Sequence, residues 1–246
     1  MRHSVISPDG TTIAFTYKGD IYTVPVAGGR AMQITTNPAY DTAPVWSPDS
    51  KRIAFASDRM GSLDVYIVAK DGGEPRRLTT HSGSETPLAF TDAGHVLFSA
   101  GIMPSAEAVV FPSNGQFNQV YRVSVEGGRP TMISSMPMEC ISINKEGAML
   151  YQDKKGYEDY WRKHHVSPIA RDIWMYTPGK EPQYRQLTTF GGEDREPVWA
   201  PDGKTFYYLS EENGSFNIYR RTPGDAKAVQ LTHYTKNPVR YLSAAT

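Results

Sequence analysis

The sequence lacks the features of a disulfide-stabilised, membrane-spanning or strongly charged protein. Its one cysteine, Cys140, excludes an intrachain disulfide framework, and its neighbours in MECISIN predict a buried small residue rather than a nucleophile. No apolar run is long enough to span a bilayer, and no signal-peptide pattern follows Met1. Lys plus Arg and Asp plus Glu both number 26, so a net charge of zero predicts no general attraction to nucleic acid or anionic membranes.

Catalytic and metal-binding motifs are also missing. There is no GxSxG elbow and no HExxH helix, and the histidines fall mostly in loops or at strand edges: His3, His81, His95, His164, His165 and His233. The adjacent His164 and His165 would point apart on a strand, and no second ligand pair stands at helical spacing. The sequence therefore predicts no catalytic residue, no cofactor and no metal site within this chain.

What the sequence does contain is a repeat, of which residues 43–80 are one copy. This copy has four short runs rich in β-branched and aromatic residues, namely APVW, RIAFAS, DVYIVA and PRRLTT. The runs are separated by SPDS, DRMGSL and KDGG, whose Pro, Asp and Gly residues favour turns. Four strands joined by hairpins, with a period of about 40 to 50 residues, are typical of a β-propeller blade.

Three anchors occur five times in the same order, which supports five blades. They are the Asp-Gly-like turn after the first strand, the start of the third strand, and the Leu-Thr-like pair in the fourth. From the second to the third anchor the offsets are 13, 13, 13, 14 and 13 residues, whereas from the first to the second they are 12, 16, 28, 27 and 16. The length variation therefore lies between the second and third strands.

The repeats cover the chain as a single all-β domain, residues 1–246. The predicted blades are residues 3–36, 43–80, 87–135, 138–189 and 196–232, and residues 237–246 read as the first strand of a sixth blade. Either five blades close with the last strand as a latch, or the chain is part of a larger ring, most simply six-bladed; we favour the second interpretation. Because strand-like sequence follows Met1 directly, we expect Met1 to lie inside a longer protein.

The residues also carry a family resemblance. The repeated SPDG, SDRMGSLDVY, GG and LTT elements resemble the blades of TolB-like propellers and of tricorn-type and prolyl-oligopeptidase-type serine peptidases. More specifically, YEDYWRKHHVSPIARDIWMY with the following RQLTTFGGEDREPVWAPDGKTFYYLS is similar to the N-terminal propeller of bacterial tricorn-like peptidases. The resemblance implies a serine nucleophile and its partners in a C-terminal peptidase region beyond a PDZ domain. None of that machinery is present in this chain.

Topology predicts a functional face. In a four-stranded blade, the loop between the second and third strands and the connection to the next blade lie at the same end, and loops on a rigid scaffold commonly bind ligands. The candidate binding residues at this end are Tyr40, Asp41, Asp58, Arg59, Glu85, Asp194 and Arg195, together with Tyr157, Tyr160, Trp161, Arg162, His164 and His165 of the blade-four insertion. An alternative interpretation is that the charges form structural salt bridges and the aromatics cap the core.

The sequence suggests three candidate functions. The first is a non-catalytic propeller of a tricorn-like serine peptidase that guides or filters peptides or scaffolds assembly, and the second is a stand-alone TolB-like protein-binding propeller. The third, an enzyme with a site in the central channel, is disfavoured because first-strand positions are mostly apolar or small, as at Val45, Leu88 and Val198. The expected partners are a peptide or protein, the parent's own PDZ and peptidase region, and a further copy of the chain. For the parent protein, a periplasmic or secreted location is favoured.

Overall fold

The computed structural model describes residues 2–101, 118–156 and 166–245. Within these ranges the chain forms five four-stranded antiparallel sheets, each with its strands in sequence order. The predicted all-β fold of propeller blades is confirmed. The described residues include no helix that is long and apolar enough to cross a membrane. The chain divides into two compact units, essentially Met1–Pro137 and Met138–Ala244.

The first unit contains three blades. Blade one comprises β1 (Arg2–Ile6), β2 (Thr12–Tyr17), β3 (Asp20–Pro25) and β4 (Met32–Gln33). Blade two comprises β5 (Asp41–Trp46), β6 (Arg52–Ser57), β7 (Asp64–Ala69) and β8 (Arg76–Arg77). Blade three comprises β9 (Glu85–Asp92), β10 (His95–Ala100), β11 (Gln119–Ser124) and β12 (Thr131–Ser134).

The second unit contains two blades. Blade four comprises β13 (Met138–Ile143), β14 (Met149–Asp153), β15 (Ile173–Thr177) and β16 (Gln183–Gln186). Blade five comprises β17 (Asp194–Trp199), β18 (Phe206–Ser210), β19 (Asn217–Arg221) and β20 (Val229–Gln230).

The predicted first strand of a sixth blade is wrong for residues 237–245, which form no strand. The N–H of Val239 donates to the carbonyl of Phe216 at 3.0 Å, and the N–H of Leu242 donates to the carboxylate of Glu196 at 2.7 Å. These two backbone hydrogen bonds therefore go to a loop and a side chain of blade five. A ladder needs a neighbouring strand, and no strand in the described part of the chain pairs with this stretch.

The core lies between the faces of successive blades. In β6, Ile53 and Phe55 pack in a cluster with blade-one residues, whereas Ala54 packs in a cluster with blade-three residues. Alternate residues of a strand point to opposite faces, so a central strand buried on both faces reads as a continuous apolar run. In the second unit, Leu150 and Phe206 belong to the equivalent cluster between blades four and five.

The repeated turn residues and tryptophans have structural roles. Asp49 accepts hydrogen bonds from the hydroxyl of Ser47 at 2.5 Å and from the N–H of Lys51 at 3.1 Å, as expected for an Asx-type turn. The indole N–H of Trp46 donates to the carbonyl of Val5 in the preceding blade at 3.2 Å. Equivalent interactions occur in blade five at Asp202 and Trp199.

First strands carry a bulge at a recurring position. Between Thr42 and Val45 the register with β6 gains one residue, and Ala43 has a positive φ of 51°. Cys140 occupies the same position in β13 with φ 51°. It is exposed, so the prediction that it is buried is wrong. The reason is that the extra residue of a bulge interrupts the alternation of buried and exposed faces.

Candidate functional site

Within each unit, the second loop of a blade and the connection to the next blade lie together. At the start of a first strand, a backbone N–H donates to the carbonyl just before the third strand of the preceding blade, as for Asp41 to Gly19 at 2.7 Å, Glu85 to Leu63 at 2.6 Å and Asp194 to Arg171 at 3.0 Å. We call this end of the blades the loop face of each unit; its described residues include Tyr40, Asp41, 58–63 and 80–85 in the first unit, and 190–194 and 211–216 in the second.

The recurring Leu-Thr pair organises the loop face from inside. The hydroxyl of Thr79 accepts the N–H of Val65 at 2.9 Å and donates to the carboxylate of Glu85 at 3.0 Å. Thr188 accepts the N–H of Ile173 at 2.9 Å in the same way. Each threonine therefore satisfies a buried backbone donor at the start of a third strand, where an unpaired group would be costly.

Asp41 and Arg59 form a buried ion pair within blade two. Asp41 is fully buried, and one guanidinium nitrogen of Arg59 lies 3.0 and 2.9 Å from its two carboxylate oxygens. The guanidinium also lies 4.5 Å from the centre of the Tyr66 ring and 5.6 Å from that of Phe55. The ion pair and the stacking on the two rings hold the guanidinium of Arg59 in place, and the carboxylate of Asp41 neutralises its charge.

Glu85 belongs to a second buried cluster, between blades two and three. It is fully buried, and the Nδ1 atom of His81 lies 3.5 Å from its Oε1. Burial and the negative charge of Asp64 raise the pKa of Glu85 to about 7. Asp64 is also buried, and its carboxylate lies 2.8 Å from a guanidinium nitrogen of Arg77. Glu85 is therefore partly protonated at neutral pH.

Asp194 and Arg195 begin β17, and both are 2% exposed. The Nε of Arg195 donates to Glu193 at 2.6 Å, and its guanidinium carbon lies 5.0 Å from the centre of the Phe216 ring. Burial raises the pKa of Asp194 to about 7. Arg195 thus has a fixed partner, whereas Asp194 has no ion pair among the described residues.

Tyr40 and Asp58 are the exposed members of the candidate set. The N–H of Tyr40 donates to the carboxylate of Asp58 at 2.7 Å, and the ring of Tyr40, 43% exposed, lies beside Gly19. These two residues can therefore contact a partner without rearrangement. The remaining candidates, Tyr157, Tyr160, Trp161, Arg162, His164 and His165, lie outside the described residues.

Sequence reasoning missed several charged residues of these clusters. Asp64, Arg77 and Glu193 complete the buried pairs, and none was among the candidates. A signal was present, because a polar residue recurs at the start of third strands as Asp20, Asp64, Asp172 and Asn217. Across the described part of the chain, no group of three or more His, Cys, Asp or Glu residues is placed to hold a metal ion.

Comparison with known proteins identifies a family and several similar proteins. The family described as the tricorn protease N-terminal β-propeller domain matches residues 1–246. Tricorn protease homolog 1 of Streptomyces coelicolor is 24% identical over 213 residues, which are 86% of this chain and 19% of that protein. The tricorn protease homolog of Saccharolobus solfataricus is 22% identical over 248 residues, covering 96% of this chain and 21% of that protein. The chain spans about a fifth of the length of these curated relatives.

Solved structures agree on the fold. The crystal structure of the tricorn protease matches with a TM-score of 0.77 and 18% identity, covering 98% of this chain and 23% of that one. The structure of a putative TolB from Agrobacterium tumefaciens matches with a TM-score of 0.70 and 15% identity, covering 92% and 78% respectively. At these identities the similarity shows the fold alone. The family match over the full 246 residues shows more: the chain belongs to the family of tricorn protease N-terminal β-propeller domains.

Proposed function

We propose that this domain is a non-catalytic part of a tricorn-like serine peptidase, in which it guides or filters peptide substrates or scaffolds the assembly. The supporting observation is the family match over all 246 residues, combined with relatives about five times longer that are named as proteases or their homologues. In this proposal the bond-breaking residues lie in another region of the parent protein, with a PDZ domain between. A periplasmic or secreted parent and a homo-oligomeric assembly remain part of the proposal.

The loop face is the proposed contact surface for the peptide or for the peptidase region. Its exposed residues Tyr40 and Asp58 and the six blade-four candidates listed above would make the contacts. The buried members, among them Asp41 and Arg59, would hold the loops in position, because ion pairs and cation–π contacts restrict their conformations. This division of roles is supported by the burial of the charged residues, which keeps them from touching a partner directly.

The alternative is a stand-alone TolB-like protein-binding propeller. The fold is compatible with it, since a putative TolB aligns with 92% of this chain. The tricorn family match and the two tricorn homologues favour the peptidase setting. The sequence of the gene on either side of these 246 residues separates the two, because only the first predicts a PDZ and peptidase region.

Binding by the loop face is tested by replacing residues 157–165 with a Gly-Ser linker of the same length. We expect unchanged β-sheet circular dichroism and affinity for a labelled peptide library weakened by about tenfold, corresponding to the loss of one or two anchoring side chains. The matched control is replacement of 71–74, a loop between third and fourth strands at the other end of blade two, which should leave binding unchanged. Equal effects of the two replacements, or unfolding by the first, would contradict the proposed surface.

The absence of catalysis is tested separately with a fluorogenic peptide panel. The chain alone should show no turnover. Hydrolysis that is abolished by a single substitution within residues 1–246 would show that the domain is itself an enzyme.

A further inference from the structure

A cavity in the second unit lies beside Asp194. Its volume is about 490 Å³, and its walls come from the end of blade four and from blade five, including Thr188, Tyr208, Glu212 and Arg221. Cavities of this size hold small ligands or single side chains of a partner. Two of these wall residues, Tyr208 and Glu212, have chemically informative counterparts in blade two, and so does Asp194.

The strand registers define the counterparts without ambiguity. Asp41 pairs with Ser57 in blade two, and Asp194 pairs with Ser210 in blade five. Both serines lie seven residues before the start of the third strand. The equivalent positions are therefore Asp41 and Asp194, Phe55 and Tyr208, Tyr66 and Tyr219, and Arg59 and Glu212.

The two blades differ at the position of the cation. In blade two, Arg59 lies 2.9 Å from the Asp41 carboxylate and packs against two aromatic rings. In blade five, the corresponding residue is Glu212, so an acid stands where the matching cation would be. Blade five therefore keeps the buried carboxylate and the two aromatic rings, but it lacks the positive charge that neutralises the carboxylate in blade two.

The environment of Asp194 shows the consequence of this exchange. Its side chain lines the cavity and is 2% exposed, and its Oδ1 makes no hydrogen bond with proper geometry. Burial raises its pKa to about 7; the hydroxyls of Ser210 and Thr188 favour the charged form, and the charges of Asp172 and Glu212 oppose it. No cation forms an ion pair with Asp194 in the ranges that the structure describes. A positively charged group entering the cavity would relieve this imbalance.

We propose that this cavity binds an alkyl guanidinium or ammonium group, in the place that the guanidinium of Arg59 occupies in blade two. Asp194 and Glu212 would accept its hydrogen bonds, and the ring of Tyr208 would cover its apolar stem. The bearer of the group is the arginine or lysine side chain of a peptide, an assignment that rests on the proposed function.

Two cations in the cavity wall lie toward the other end of blade five. Arg221 donates to the backbone carbonyls of Leu187 and Asp225, so its charge is held away from the acids. Its backbone pairs with Phe206, four residues along β18 from Ser210, so its Cα lies about 13 Å along the strand from the level of Ser210. Lys227 follows in the next turn. The cavity wall thus carries two acids and two cations, which suits a basic side chain carried on a peptide backbone with its carbonyl oxygens.

Calorimetric titration with acetyl-Gly-Arg-Gly-amide, its glutamine analogue and methylguanidinium tests the proposal. The arginine peptide and methylguanidinium should bind, and the glutamine peptide should bind about tenfold more weakly or not at all. Glu212→Arg should abolish binding and raise the melting temperature, because it supplies the cation internally as in blade two. The matched control is Glu181→Arg, the same charge change on an exposed turn of blade four, which should bind like the unmodified protein.

Asp194→Asn is a second variant, and it does not require the fold to accommodate a new arginine. It should lower the affinity for the arginine peptide by about tenfold. Equal binding of the arginine and glutamine peptides, or unchanged binding by both cavity variants, overturns the proposal. Binding of methylguanidinium without the peptide supports the cation site and contradicts the peptide assignment. If both variants bind the peptide as tightly as the unmodified protein, the proposed function is retained but this cavity is not the binding site.

Discussion

Replacing Glu85 by glutamine should stabilise the protein at alkaline pH and leave its stability nearly unchanged at acidic pH. Glutamine resembles the protonated carboxyl group, since its oxygen can accept from Thr79 as Glu85 does and its amide can donate toward Asp64. The substitution therefore removes the ionisation of residue 85 while retaining its shape. Its effect on the free energy of unfolding isolates the cost of the buried charge.

The magnitude follows from the pKa. Burial raises the pKa of Glu85 from 4.5 to about 7, so the folded protein binds this proton more tightly than the unfolded chain. The resulting stability is fully present below pH 4.5 and is lost as the pH rises through 7. A difference between pKa values of 4.5 and about 7 corresponds to about 3 kcal/mol. Glu85→Gln should avoid this loss, so its advantage should grow from near zero at pH 4.5 to at most about 3 kcal/mol at pH 8.

The assay is urea unfolding followed by tryptophan fluorescence at half-unit steps from pH 4.5 to 8.5. The matched control is Glu74→Gln on an exposed turn, for which we expect a difference that does not change across this range. A pH-independent difference for Glu85→Gln would refute the reasoning. So would a variant that becomes less stable than the unmodified protein as the pH rises, since either result means that the buried carboxyl group is not the one that titrates.

Two further substitutions test the buried polar groups of the loop face, each against an exposed neighbour. Asp41→Asn should lower the free energy of unfolding by about 3 kcal/mol because it leaves Arg59 buried without a carboxylate, whereas Asp58→Asn should cost less than about 1 kcal/mol; urea unfolding at pH 7 compares them. Thr79→Val should cost about 1 to 3 kcal/mol because it orphans a backbone N–H, and Thr80→Val should be nearly neutral by thermal unfolding. Equal costs within either pair would show that burial of the polar group is not what matters.

The family and the blade repeat were accessible from the sequence because they depend on local patterns. Runs such as RIAFAS and DVYIVA alternate side chains between two faces, and the Asp-containing turns close the hairpins through hydrogen bonds two residues apart. The offsets between anchors then repeated these local units five times. The fold, the number of complete blades and the role of the turn aspartates could all be predicted this way.

The irregular conformation of residues 237–245 and the exposure of Cys140 could not be predicted, because each depends on what surrounds the segment. Residues 237–245 have a strand-like composition, yet no described strand pairs with them to form a ladder. Cys140 lies in an apolar run, yet a bulge interrupts the alternation there and leaves it exposed.

The sequence by itself determined which residues form the strands and turns of the five blades, and that the second loops lie at the same end of a blade as the connection to the next one. Only the tertiary structure decided which of those charges are exposed and which are paired. Asp41 and Asp194 occupy the same position in equivalent strands, but Asp41 contacts a guanidinium, whereas Asp194 lines a cavity and forms no ion pair with any cation among the described residues. The physical reason is that the energy of a buried charge depends on groups brought to it by folding, which the pattern of a single strand does not contain.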